Sequence, residues 1–223
     1  MSPTMRDRVL RDAVSIGLAT GIYAVSFGVL SVAAGFSVAQ TCVMSLVTFT
    51  GASQLTFVSV LGAGGTAAAA LPPALLLAGR NTIYALSLKS VLRGGRLRRA
   101  LDAHLVIDES TAMAHAQREP ADKRRAFLLT AVAIFITWNV GTLLGALAGG
   151  GLGDPRDYGL DAIFPAIFLA LLVPQVRDRA ALGAALLGAA IALVLLPLTP
   201  AGVPVMAAVL GSVPFLLLRR AAR

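Results

Sequence analysis

Seven apolar runs, separated by short polar or glycine-rich breaks, set the pattern of this chain. They cover residues 13–34, 41–61, 66–88, 126–149, 160–173, 180–198 and 203–218. Most are long enough to cross a bilayer, which takes about 20 apolar residues at a rise of 1.5 Å each. Lipid offers no partner to an open backbone group, so helices are predicted throughout. The runs are too long for strands and lack the apolar–polar alternation of a barrel. The pattern predicts an all-α polytopic membrane protein with about seven transmembrane helices in one membrane domain. Residues 13–88 form a first half, 89–125 a long charged, amphipathic cytoplasmic connector, 126–198 a second half, and 203–218 a final helix.

Composition narrows this further. Hydrophobic residues make up 57% of the 223 and charged residues only 13%, about half the charge of a soluble domain. The net charge of +8 comes from Lys and Arg clustered between apolar runs. That is the positive-inside pattern rather than a nucleic-acid footprint. The single cysteine, Cys42, excludes an internal disulfide. A cleaved signal peptide is rejected, because the first run is long, rich in Gly and Ser, and followed at once by another. With seven spans, the basic groups at 89–125, 177–179 and 219–223 share the cytoplasmic side, and the amino terminus is then outside. Arg6, Arg8 and Arg11 disagree with that placement. A re-entrant second or third span, or a crossing by 101–116, would remove the conflict.

The halves share a rhythm: a glycine-rich span, a Pro- or Gly-interrupted span, then an Ala/Leu-rich span. An odd number of spans per unit predicts an inverted 3+3 repeat plus one extra helix, as in many secondary transporters. Gly17, Gly21, Gly28 and Gly35 repeat at four and seven, and Gly141, Gly145 and Gly149 at four. Such small-residue stripes bring helix backbones close together.

Polar groups stand out within the apolar runs, among them Trp138, Asn139 and Thr142 at the second glycine stripe, and in the connector. Arg80 lies well inside 66–88, with Tyr84 on the same helix face and Asn81 to one side. A guanidinium there costs at least about 2.5–3.5 kcal/mol on insertion scales. It therefore snorkels to the interface or faces an anion inside the protein. Gly51-Ala52-Ser53-Gln54 suggests a broken helix whose freed amides suit a carboxylate; otherwise Ser53 and Gln54 join helices. In 101–116, His104 and Asp108 share a helix face, and Glu109 adjoins them, a set able to carry protons. Asp161 opens the fifth run, where it complements the helix dipole or serves as a buried anion for Arg80 or an ammonium. Nothing in the spacing of His104 and His115 points to a metal, and no cofactor is indicated.

Taken together, these residues resemble the AzlC family of branched-chain amino acid transporters. The likeness rests on Ser26-Phe27-Gly28, Gly51-Ala52-Ser53-Gln54, Arg80 with Tyr84 and Leu86-Ser87-Leu88, and His104 with Asp108-Glu109-Ser110. It continues through Trp138 with Gly141-Thr142, Gly159-Leu160-Asp161, Phe164-Pro165 and Leu171-Leu172-Val173-Pro174. The chain departs from the family pattern at Asn81, Ala78 and Ile107, where the family often has His, Asn and Thr. The resemblance implies the large subunit of a two-component exporter in a bacterial inner membrane. Its partner would be a small AzlD-like membrane subunit, and its substrates hydrophobic amino acids.

A zwitterion with an apolar side chain needs donors for its carboxylate, an acceptor for its ammonium and an apolar pocket. Arg80, Ser53 and Gln54, with Asn81 and Tyr84 beside them, are the expected donors. Asp161 or Asp108 is the expected acceptor, and Phe49, Phe57 and Phe164 the expected lining. Asp108, Glu109 and His104 are the candidates for proton coupling, in transport by alternating access. The rivals are a channel or scaffold subunit and, more remotely, an intramembrane hydrolase with Ser53 as nucleophile and His104 as base, which lacks a nucleophile elbow.

Overall fold

A computed structural model describes residues 3–151 and 176–221, with Gly159, Ala162, Ala166, Leu169, Leu172 and Val173 between them; side chains are described for 7–218 of these. The described residues form helices: α1 (Pro3–Ala33), α2 (Val38–Thr48), α3 (Gly51–Gly62), α4 (Ala67–Ser87), α5 (Arg96–His104), α6 (Asp108–His115) and α7 (Pro120–Gly149). After these come α8 (Arg179–Leu195), α9 (Val203–Ala208), a 3-10 turn (Val209–Ser212) and α10 (Val213–Ala221). Asp7–Ala33 of α1 and Pro120–Gly149 are long and apolar enough to cross a bilayer. α4 has 21 residues, a sufficient length, but carries Arg80 and Asn81 in its second half.

α1 and α7 make the closest helix pair, and both glycine stripes lie in their seam. Gly17 faces Ala133, Gly21 faces Thr137, and Gly149 faces Val29. A methyl on Gly21 would stand 2.9 Å from Thr137 Cβ, and one on Gly145 would strike the Val25 carbonyl. The hydroxyl of Thr137 donates to the Gly17 carbonyl at 2.6 Å across the same seam. Partner numbers rise together along both helices, so α1 and α7 run in the same direction. Inverted halves that begin with these two helices would run them in opposite directions. The expected inverted repeat is therefore corrected: the first helices of the two halves are parallel.

The cause lies in residues 41–61, expected as one continuous span. Ser37 caps α2, accepting from the Gln40 amide at 3.2 Å while Gln40 accepts from the Ser37 amide at 2.8 Å. α2 then runs back along α7, with Ser45 meeting Thr142 and the ring of Phe49 5.0 Å from that of Phe135. Helical geometry stops at Phe49 and Thr50. α3 starts against Trp138 at Gly51 and ends against Ala34 at Gly62, where the hairpin began. Two half-helices thus enter and leave from the same end of the bundle. Gln54 straps them together: its amide donates to the Met44 carbonyl and to the Thr48 hydroxyl, each at 3.0 Å.

This hairpin settles the charge conflict. α4 starts at the end of the bundle where α1 finishes, and the start of α7 returns to the end where α1 begins. Arg8 and Arg11 then share one end with Lys89, Arg93 and the arginines of α5. Because residues 41–61 turn back, the basic amino terminus and the basic connector lie at the same end, not at opposite ends as expected. Near the carboxyl terminus, α8 packs antiparallel to α9 and α10, with Gly183 against Phe215 and Gly188 against Ala208. The turn between them meets α4: Pro73 has no amide proton for the Ala69 carbonyl, and Gly202, at φ 98°, packs against that open carbonyl. The fifth expected span, 160–173, lies outside the continuously described residues.

The connector is also corrected. Residues 101–116 were expected to carry His104 and Asp108 on one helix face, but α5 ends at His104 and α6 begins at Asp108. Ser110 fixes the break, because its hydroxyl accepts from the Ile107 amide at 3.1 Å and donates to the Leu105 carbonyl at 2.9 Å. Ile107 precedes α6 and has no side-chain acceptor for its first turn, so Ser110 reaches back instead. Arg124 of α7 clamps the connector from below. It donates to both carboxylate oxygens of buried Asp102, at 2.9 and 3.3 Å, and to the Val91 carbonyl at 2.6 Å.

Two measurements check this architecture. In a Cys42→Ser background, cysteines at Asp7 and Gly95 are expected to react with an impermeant thiol reagent from one side and a cysteine at Ala63 from the other. Labelling of Asp7→Cys and Gly95→Cys from opposite sides would refute the parallel α1–α7 pair. Gly145→Ala should destabilise the detergent-solubilised protein by about 1–3 kcal/mol or more, the range for overpacking, read as a lowered Tm.

Candidate functional site

The half-helix break, the second half of α4 and the first turn of α6 meet at one small cavity beside α1 and α7. It is lined by Thr20 and Tyr23 of α1, Phe49 and Thr50 at the break, Gly51, Ala52 and Leu55 of α3, and Arg80 of α4. Ile107, Asp108 and Glu109 close it from the connector, and Ile134 and Trp138 from α7. Its volume is about 40 Å³, room for a few waters rather than for an amino acid.

Arg80 dominates this cavity. Its guanidinium pairs with the Asp108 carboxylate at 2.6 Å, and both side chains are 29% exposed. Tyr84, one turn along α4, donates its hydroxyl to the other Asp108 oxygen at 2.7 Å. The predicted common face of Arg80 and Tyr84 is thus used to hold one carboxylate. Snorkelling is not how Arg80 is accommodated: it turns inward to an anion.

The donor supply exceeds what Asp108 uses. Arg80 Nε is buried without a hydrogen-bond partner among the described residues, and so is the indole Nε1 of Trp138. A buried donor left unpaired costs about 1–3 kcal/mol. No side chain caps α3 at Thr50, and its first amides, at Gly51 and Ala52, present the positive end of a helix at the cavity. α6 begins at the same place with Asp108 and Glu109 in its first turn, where negative charge is favoured. Burial raises the carboxyl of Glu109, on the connector, above its ordinary value, and neighbouring Asp108 pushes it the same way.

Other residues singled out from the sequence stand elsewhere. Ser53 and Gln54 are buried but do not line the cavity. Ser53 lies 3.4 Å from the Thr50 hydroxyl, and Gln54 holds the hairpin together. The break they mark reaches the cavity, but through backbone amides. Phe57 packs beside Phe36, ring centres 6.3 Å apart. Phe49 does line the cavity, as expected. Asn81 is partly buried, and its carbonyl oxygen has no partner among the described residues. His104 packs 5.9 Å from Phe49 and 6.0 Å from Phe135, ring centre to ring centre, without a hydrogen bond to Ser53. The pairing that a hydrolytic reading requires is not formed. Asp161 and Phe164 lie outside the described residues.

Tyr23 and Trp138 were not picked as site residues from the sequence. Their rings meet edge to face at 5.4 Å, and Trp138 stacks on Phe27 at 5.9 Å. The available signal was a lone tryptophan next to Asn139 within an apolar run.

Known proteins place this arrangement in context. The model of the family described as AzlC protein matches residues 15–152, the stretch that contains every wall of the cavity. A membrane protein of Archaeoglobus fulgidus, named only as uncharacterized, is 34% identical over 186 residues, covering 81% of this chain and 80% of its own. The inner membrane protein YgaZ of Escherichia coli K12 is 29% identical over 189 residues, covering 80% of this chain and 77% of its own. An uncharacterized membrane protein of Helicobacter pylori 26695 is 28% identical over 187 residues, with 83% and 82% covered. No solved structure matches the chain. With helices long enough to span a bilayer, an inward-facing arginine at a half-helix break and a family match over most of its length, this chain is a membrane protein of the AzlC family.

Proposed function

We propose that the chain is the large subunit of a proton-linked secondary transporter that exports hydrophobic, branched-chain amino acids by alternating access. Its partner is a small AzlD-like membrane subunit, and its site is the cytoplasmic membrane of a bacterium, with the basic end of the bundle in the cytoplasm. The observation that carries this reading is the Arg80–Asp108 pair at the half-helix break. A resident carboxylate occupies the place that a substrate carboxylate needs.

The chemistry follows from that competition. The substrate carboxylate replaces Asp108 on Arg80, with the unpaired Arg80 Nε and the amides of Gly51 and Ala52 as further donors. The released Asp108, with Glu109, accepts the ammonium. Phe49, Leu55, Ile107 and Ile134 supply apolar walls for a branched side chain. At about 40 Å³ the cavity is too small for an amino acid, so substrate binding requires it to widen. Substrate enters when the first turn of α6 withdraws from α3 and α4. A proton on Asp108 or Glu109 weakens the hold on Arg80, which links the proton to substrate exchange.

Efflux of labelled leucine, valine and methionine from cells with a candidate small subunit tests this. Arg80→Ala and Arg80→Lys should each lower efflux at least about tenfold, because Lys lacks the planar fork that pairs with a carboxylate. Normal export by both variants would remove Arg80 from the site. Counterflow in proteoliposomes separates a carrier from a channel or a scaffold.

The pH profile gives a second test. Burial raises the Glu109 carboxyl, so its proton is lost on a limb above the ordinary carboxylate range. In Glu109→Gln that limb should disappear from the exchange profile; an unchanged profile would place coupling on another group.

A further inference from the structure

A second feature lies at the basic end of the bundle, apart from the cavity. Between the last turn of α4 and α5 runs a groove of about 490 Å³, lined by Lys89, Arg96 and Arg99 together with Leu86, Leu92 and Ala100. No carboxylate lines it, and none pairs with these three cations among the described residues. Asp102, the acidic residue of α5, is buried and already held by Arg124.

The start of α5 makes the charge imbalance worse. Its first turn carries Arg96, Arg98 and Arg99 and no acidic residue. A helix amino terminus is itself positive, so cations there are unfavourable and an anion is favoured. Gly95 at the N-cap provides no side-chain acceptor, which leaves the first amides of α5 open to an outside anion. The apolar side of α5 is equally unmet: Leu97 is 75% exposed and Leu101, one turn on, 61%. Ile83 and Leu86 on the adjoining end of α4 are 67% and 71% exposed. Arginines beside exposed leucines on a short amphipathic helix describe an element lying in the membrane–water interface.

From this geometry we infer that the α4–α5 groove binds an anionic phospholipid of the cytoplasmic leaflet, its headgroup phosphate between Lys89, Arg96 and Arg99 and its chain along Leu86 and Leu92. The phosphate supplies the missing anion for the α5 terminus. The acyl chain covers apolar surface that water would otherwise meet. A free phosphate satisfies the first requirement but not the second. The site stands independently of the transport reading, because no groove residue lines the central cavity.

Native mass spectrometry of the full chain, released from detergent and titrated with phosphatidylglycerol or phosphatidylcholine, tests it. The wild type should retain phosphatidylglycerol in preference to phosphatidylcholine. Arg96→Gln/Arg99→Gln should weaken that retention roughly 30-fold, from roughly fivefold per cation near an anionic lipid surface. Arg118→Gln/Lys123→Gln, with the same charge loss outside the groove and the α5 terminus, should change it little. Ala100→Trp fills the groove with every charge in place and should also abolish the preference. Equal losses in both double variants, or full retention by Ala100→Trp, would reduce the site to diffuse surface charge and overturn it. Competition by inorganic phosphate as effective as that by the lipid would likewise overturn the phospholipid as occupant.

Discussion

Polarity left open halfway through an apolar bundle is the constraint on which this structure depends. Two features create it: a guanidinium at Arg80 and a helix interrupted at Phe49 and Thr50. Neither is tolerable against lipid, since open backbone groups and isolated charges have no partners there. Both must face the same protein interior. The fold meets this by wrapping the break and the arginine with α1, α7 and the start of α6. Asp108 and Tyr84 complete the enclosure.

The glycine seam makes that enclosure possible. α1 and α7 approach until Gly21, Gly28, Gly141 and Gly145 leave no space for a methyl group. Their parallel register fixes Tyr23 beside Trp138 at mid-length. The hairpin then packs to a set depth, with Gly51 on the Trp138 ring and Gly62 level with Ala34. Packing of small residues, without polar chemistry of its own, thus determines where the polar break lies. Gln54 contributes from behind: it holds the half-helices together so that the amides of α3 point into the cavity.

The connector joins the two ends of this system. The Arg124–Asp102 clamp and the Ser110 bonds hold α5 and α6 on either side of a break. α6 therefore brings its acidic first turn up to Arg80, while α5 stays at the basic end with its leucines outward. One segment thus reaches both the central cavity and the basic end of the bundle. Movement of α6 away from Arg80 would be transmitted to α5 through only three residues, Leu105 to Ile107.

The apolar runs by themselves determined the helical membrane class, and burial cost marked Arg80 as a residue that must either snorkel to the interface or find an anion. Gly51 beside polar neighbours pointed to a break without deciding for it over an intact helix glued by Gln54; the break falls just before it, at Phe49 and Thr50. The partner of Arg80 was not legible: Asp161 was the anion expected for it, whereas among the described residues α6 docking brings Asp108 to it. Span direction was open for the same reason: residues 41–61 have the length of a crossing, and only their contacts at both ends with the top of α1 show that they turn back. His104 and Asp108 illustrate the remaining limit. Their spacing fits one helix face, but a hydroxyl three residues further on, at Ser110, satisfies the backbone in a way that ends one helix and starts another. Local composition dictates which groups must be buried or paired; which partner each one finds depends on helix directions that long-range packing alone fixes.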